Sequence, residues 1–164
     1  SQHPDKVALI LDDQSLTYHQ LLGRVQRLSY VLIHEHRIRV GDVVCQYLDR
    51  SIEMIVGILG ILMAGAVYTP LSPSDPLDRL QVLVDQVHAK LILINQHSPS
   101  QISSVSVPIL DISHIHQSSS SSLNQEPVDV TPECISHIVF TSGSTGVPKA
   151  VQIRHRNFMD YVQT

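Results

Sequence analysis

Apolar and polar positions change period several times along this chain, and each change marks an element. Val7 to Leu11 is a short apolar run. Asp12-Asp13-Gln14 turns the chain and Ser15-Leu16-Thr17 returns it, which predicts a β-hairpin. From Tyr18 to about His36 the apolar residues Leu21, Leu22, Val25, Leu28, Val31 and Leu32 recur at helical spacing, with Thr17 placed to cap and Gln20 to complete a capping box. Val40-Gly41-Asp42 breaks that helix and Val43 to Leu48 reads as a strand. Ser51 then caps a second helix that is apolar nearly all round and ends at Ala64-Gly65, the pattern of a helix buried between layers. Val67-Tyr68-Thr69 is extended, since Pro70 and Pro73 forbid a helix there. Pro76 opens a third helix, with Leu77, Leu80, Leu83, Val84 and Val87 as its core stripe, and Lys90 to Ile94 is a buried strand. Strands alternating with helices in this way predict an α/β fold with largely parallel pairing.

Residues 96–132 break the rhythm. Ser, Gln, Asn and Pro dominate, five serines stand together at 118–122, and only Val107 to Leu110 has the look of a strand. This composition predicts a flexible, solvated connector within the domain. Ile135 to Phe140 returns to the strand pattern, Ala150 to Ile153 alternates as a strand, and His155 to Thr164 starts a helix.

Composition narrows the function classes. The chain has 164 residues, 43% apolar and 16% charged, with a formal net charge of -4, which describes one globular unit without a basic block. A nucleic-acid surface is not expected. Met54 to Ala64, the most apolar run, is far shorter than the roughly 20 residues that span a bilayer. No export signal is visible, so a cytoplasmic location is the expectation. Cys45 and Cys134 form neither a disulfide framework nor a metal spacing, and Cys45 sits in an apolar strand. The ten histidines are scattered, and no Cys/His/acid cluster accompanies the pairs His34/His36 and His114/His116, so a structural role outweighs a metal one.

Chemistry concentrates in one place. The apolar run Ile138-Val139-Phe140 opens into Thr141-Ser142-Gly143-Ser144-Thr145-Gly146-Val147-Pro148-Lys149. Glycines allow main-chain N–H groups to converge on an anion, hydroxyls add donors, and the lysine adds a mobile cation. The stretch is not the P-loop of ordinary NTPases. Counted from Gly143, Pro148 stands where that motif needs its second glycine and Ala150 where it needs Ser or Thr, and a strand rather than a helix follows. The plain alternative is a Ser/Gly surface turn between two strands.

The string from Thr141 to Lys149 resembles the phosphate loop of the adenylate-forming superfamily, which includes acyl-CoA synthetases, luciferases and the adenylation domains of nonribosomal peptide synthetases. Other segments resemble that superfamily as well: Leu16 to Leu21, Gly41 to Val44, Asp49 to Met54, Leu62 to Leu71, Asp75-Pro76 with Arg79-Leu80, and His155-Arg156-Asn157. Arg50-Ser51 and the stretch from Tyr68 to Pro73 are most similar to the peptide-synthetase branch. Three positions depart from the pattern: Ala150 for glycine, Ser72 for an acid and Asp75 for an aromatic residue.

The resemblance implies that residues 1–164 are the N-terminal, incomplete portion of the large domain of an adenylate-forming enzyme, a partial adenylation domain with a mostly parallel sheet flanked by helices. It implies ATP-dependent activation of a carboxylate, in the peptide-synthetase branch an amino acid, to an acyl-adenylate, followed by transfer to a phosphopantetheine thiol on a carrier-protein domain. Thr141, Ser142, Gly143, Ser144, Thr145, Gly146 and Lys149 would hold the β- and γ-phosphates of ATP, with Thr141 or Thr145 facing Mg2+. No catalytic residue is identifiable within the chain, and the isolated 164 residues are expected to be inactive and aggregation-prone. The alternatives are an acyl-CoA synthetase-type member of the superfamily and a truncated, catalytically inactive fragment that binds nucleotide or serves as an interaction surface.

Overall fold

The computed structural model describes residues 3–115, 128–142 and 148–157. At its centre is a six-stranded sheet built from β3 (Val43–Gln46), β4 (Val67–Pro70), β5 (Leu91–Ile94), β6 (Ile109–Asp111), β7 (Ile135–Thr141) and β8 (Lys149–Arg154), in the order β6-β5-β3-β4-β7-β8. Every neighbouring pair is parallel except β7 and β8, which pair antiparallel. Strands β1 (Val7–Leu11) and β2 (Gln14–Thr17) form the separate antiparallel hairpin that the sequence predicts.

Alternation along the sheet strands separates two cores. On one face Val44, Leu91 and Leu93 pack with Leu28 and Leu32 and with Ile52, Val56 and Ile61. On the other face Cys45 and Ile92 pack with Leu80, Leu83, Val84 and Ile102. The first set of partners comes from α1 (Tyr18–Tyr30), the turn after it and α2 (Ile52–Met63), and most of the second from α3 (Leu77–Gln86). The result is a sheet sandwiched between helices, with apolar residues on both faces of its strands, as expected for parallel pairing.

Local sequence explains most of the elements. The Thr17 hydroxyl accepts from the Gln20 N–H at 3.2 Å and Gln20 Oε1 accepts from the Thr17 N–H at 2.9 Å, a complete capping box on α1. Ser51 caps α2 by accepting from the Met54 N–H at 3.1 Å. Helix α2 lies between α1 and the sheet, and its glycines let it do so. A Cβ on Gly60 would fall 2.6 Å from Leu28 Cδ2, and one on Gly57 would collide with the buried Gln46 amide.

Four details differ from the sequence reading. The α-helix expected to run to about His36 widens into a π turn over Val31–Glu35, where the His36 N–H donates to Val31 O. The widened turn carries Leu32 into the core, and Ile38 follows after Arg37 takes a left-handed backbone (φ 56). Strand β3 stops at Gln46, two residues early: Tyr47 still donates its N–H to Leu93 O, but its carbonyl accepts from the Ser98 hydroxyl in the neighbouring loop instead of continuing the ladder. Pro76 is the cap of α3 rather than its first residue. The connector reading of 96–132 does not extend to residues 100–112. A 3₁₀ turn at Ser100–Ser104 buries Ile102 (1% exposed), Val105 is buried, and Ile109–Asp111 adds a sheet strand. Spaced apolar residues supply core contacts there that the polar composition conceals. The serine run at 118–122 lies outside the described residues.

Candidate phosphate-binding hairpin

Strand β7 gives its core residues to the α3 side. Ile138 is buried and Phe140 half-buried on the α3 side, and the strand reaches solvent at Thr141 and Ser142. The chain returns through Pro148 into β8, where Lys149 pairs with Thr141 and Ala150 with Phe140. The mouth of this hairpin therefore carries three of the residues singled out from sequence: Thr141, Ser142 and Lys149, all exposed. Gly143, Ser144, Thr145 and Gly146 lie outside the described residues.

The backbone at the mouth is fixed from several sides. The Thr141 hydroxyl lies 3.5 Å from Lys149 O, a long hydrogen bond in which the hydroxyl donates. The Gln86 side-chain N–H, at the end of α3, donates to Pro148 O at 3.2 Å. Ala150, which replaces the glycine of the resembling pattern, is a half-buried strand residue, and among the described residues only Asp12, Arg37 and His88 are non-glycines at positive φ. Its methyl packs beside Phe140 against the α3-side core, so this position makes no demand for glycine. At the far end of the hairpin Glu133 grips Arg154 Nη1 at 2.6 Å and Arg156 Nη1 at 2.8 Å, one with each carboxylate oxygen. Sequence reading missed Gln86 and Glu133, whose partners stand 62 and 21 residues away with no local pattern to announce them.

The electrostatics favour an anion. Lys149 has no ion-pair partner among the described residues, and no cluster of three or more His, Cys, Asp or Glu residues able to hold a metal is found among them. A hydroxyl-and-ammonium mouth fits a polyphosphate better than a bare cation, and magnesium fits there only as a companion of the phosphates. Deeper in β7, Ser136 Oγ donates to Ile153 O at 3.0 Å and lies 2.8 Å from His137 Nδ1, which then donates to it. Burial first, and the nearby His155 second, push the His137 imidazolium below its usual range. Burial raises the Cys45 thiol to about 12, the behaviour of a core residue. A concavity of about 420 Å³ bounded by Gln14, Ser15, Leu16, Arg24, Ile52 and Glu53 includes none of the loop residues.

A mostly parallel sheet flanked by helices is the fold that the sequence resemblance implies, and the family comparison decides the family. Residues 1–164 match the family model described as AMP-binding enzyme. This chain belongs to the AMP-binding enzyme family. Among curated proteins it is 37% identical over 161 residues to gramicidin S synthase 2 of Brevibacillus brevis, an alignment covering 98% of this chain and 4% of that protein. Among solved structures it is similar to the N-terminal subdomain of Klebsiella oxytoca NpsA in complex with 3-hydroxyanthranilyl-AMSN, with a TM-score of 0.81 and 26% identity over 94% of this chain and 38% of that one. It is also similar to NpsA-ThdA, an artificially fused adenylation-PCP di-domain nonribosomal peptide synthetase from the same organism (TM-score 0.80, 28% identity, 93% of this chain and 30% of that one). The AMP-binding chain thus spans a small part of the length of the relatives it matches. No helix among its described residues is long and apolar enough to cross a membrane.

Proposed function

We propose that this chain supplies the phosphate-gripping hairpin of an enzyme that activates an amino acid with ATP, giving an aminoacyl-adenylate for transfer to a phosphopantetheine thiol on a carrier domain. The observation that carries the reading is the hairpin mouth: β7 delivers Thr141 and Ser142 to solvent opposite an exposed Lys149 that has no ion-pair partner among the described residues. In the proposed reaction a carboxylate oxygen attacks the α-phosphorus of ATP. The bond from that phosphorus to the oxygen bridging to the β-phosphate breaks, and pyrophosphate leaves with the electron pair.

The chain's own part is to hold the leaving group. Ser142 offers a hydroxyl donor, Thr141 keeps its proton on Lys149 O and presents its oxygen lone pairs, Gly143 to Gly146 offer main-chain N–H groups, and the Lys149 ammonium stands against the charge that grows on pyrophosphate. Magnesium, when bound with the nucleotide, neutralises phosphate charge, and Thr141 or Thr145 is the hydroxyl that would face it. Burial of Ile138 and half-burial of Phe140 anchor β7, so the strand end that carries Thr141 is held in place before the nucleotide arrives. The relative similarity to peptide synthases supports an amino acid as substrate and a carrier domain as partner.

The test is amino-acid-dependent exchange of labelled pyrophosphate into ATP by the protein that carries this chain. Lys149→Ala is expected to lower kcat/KM for ATP by about 10- to 100-fold, the scale of one lost charge-stabilising donor. Exchange at the wild-type rate in that variant would remove Lys149 from the site. The 164 residues by themselves are expected to show no exchange, because residues that would hold the acid are not among those assigned here.

A further inference from the structure

We infer that Gln86 is a positioning residue for the phosphate-gripping hairpin, an inference that rests on the reading of Thr141 to Lys149 as that hairpin. Pro148 has no N–H, so its carbonyl is its one main-chain hydrogen-bonding group, and that carbonyl shares a peptide plane with the N–H of Lys149. Whatever orients Pro148 O therefore orients the entry of the lysine. The Gln86 side-chain N–H donates to that oxygen at 3.2 Å. On the other side of the lysine, the Thr141 hydroxyl donates to Lys149 O at 3.5 Å. Lys149 is thus held through the carbonyls before and after its Cα, while its ammonium stays exposed without an ion pair among the described residues.

Gln86 can serve as an anchor because α3 is fixed. Leu80, Leu83 and Val84 of that helix are buried in the core that Phe140 and Ala150 also touch. One apolar seam and one hydrogen bond thus join α3 to the same two strands that flank the loop. Helix α3 and Lys149 are distant in sequence, so this link makes the direction of the lysine depend on the packing of a remote element. Gln86 touches no phosphate in this scheme. It acts through the peptide plane that precedes the lysine.

The experiment measures binding of inorganic tripolyphosphate to the protein that carries this chain by titration calorimetry, with a thermal melt of each variant alongside. Gln86→Met keeps the size of the side chain and removes the donor. It is expected to weaken binding about fivefold, the value of one ordinary hydrogen bond, with the melting temperature within a degree or so of wild type. Gln86→Lys restores a donor of similar reach and is expected to recover the affinity. Val82→Lys placed on the Gln86→Met background adds the same charge one turn earlier on α3, without the donor, and should not recover it. Wild-type affinity in Gln86→Met while Lys149→Ala binds poorly would overturn the positioning role and leave the hairpin reading intact. Wild-type affinity in Lys149→Ala, or no binding by the unaltered chain, would overturn both. A fall in melting temperature that tracks the loss of affinity would make Gln86 a structural residue only.

Discussion

Thr69 sits in the middle of the sheet, fully buried between β3 and β7, and its hydroxyl finds no hydrogen-bond partner among the described residues. A buried hydroxyl without a partner costs about 1–3 kcal/mol, and valine has nearly the same shape. Thr69→Val is therefore expected to raise stability by about 1 kcal/mol in urea unfolding, with no change of slope; a loss of stability would show that the hydroxyl is satisfied. Gly60 presents the opposite case. Alanine is the better helix former by about 1 kcal/mol, yet here its methyl would press on Leu28 Cδ2, Cγ and Cβ between 2.6 and 3.1 Å. Leu28 is wholly buried and has nowhere to go, so overpacking by about 1–3 kcal/mol should win and Gly60→Ala should destabilise. An unchanged or raised unfolding midpoint would mean that α1 and α2 can part at that point.

At the scale of elements, the β7–β8 hairpin carries a titration. His137 is held below its usual 6.5 by burial and by His155, so the folded state favours the neutral ring more than the unfolded chain does. Between these two pKa values the unfolded chain binds more protons. The stability is present above about 6.5 and is lost as pH falls toward the folded value. Melting temperature should drop between pH 7 and pH 5, and His137→Gln should flatten that drop; an identical slope in the variant would assign it to other groups. The two helix caps and most strands were legible because their determinants are local: Thr17 with Gln20, Ser51, and the apolar run before Thr141. The π turn after Tyr30 was not, because it answers to where Leu32 must land in the core rather than to any residue near it. Nor was the packing of residues 100–112, where Ile102, Val105 and Ile112 are too sparse among serines to set a period. Of the candidate site, sequence proposed the loop and its lysine, and could not point to Gln86, an exposed amide whose bond to Pro148 exists only once α3 and β8 meet.

For the whole molecule, the sheet strands contribute alternate residues to two cores, so neither core can be lost without releasing residues of the other. Leu28→Ala on one face and Leu80→Ala on the other should each cost about 2–5 kcal/mol. Each should also lower one shared transition rather than split it, read by circular dichroism and by amide exchange on both faces; two separated transitions would mean that the layers fold independently. Tyr47 extends this coupling to the rim. Its N–H donates to Leu93 O, its carbonyl accepts from Ser98, and its hydroxyl donates to Pro73 O and accepts from Gln101. One residue, through main chain and side chain, thus laces together the segments that leave β3, β4 and β5. Such a rim behaves as a rigid collar: a molecule arriving at that end of the sheet would meet a fixed outline there, and any adjustment to its shape would have to come from the hairpin beyond β4.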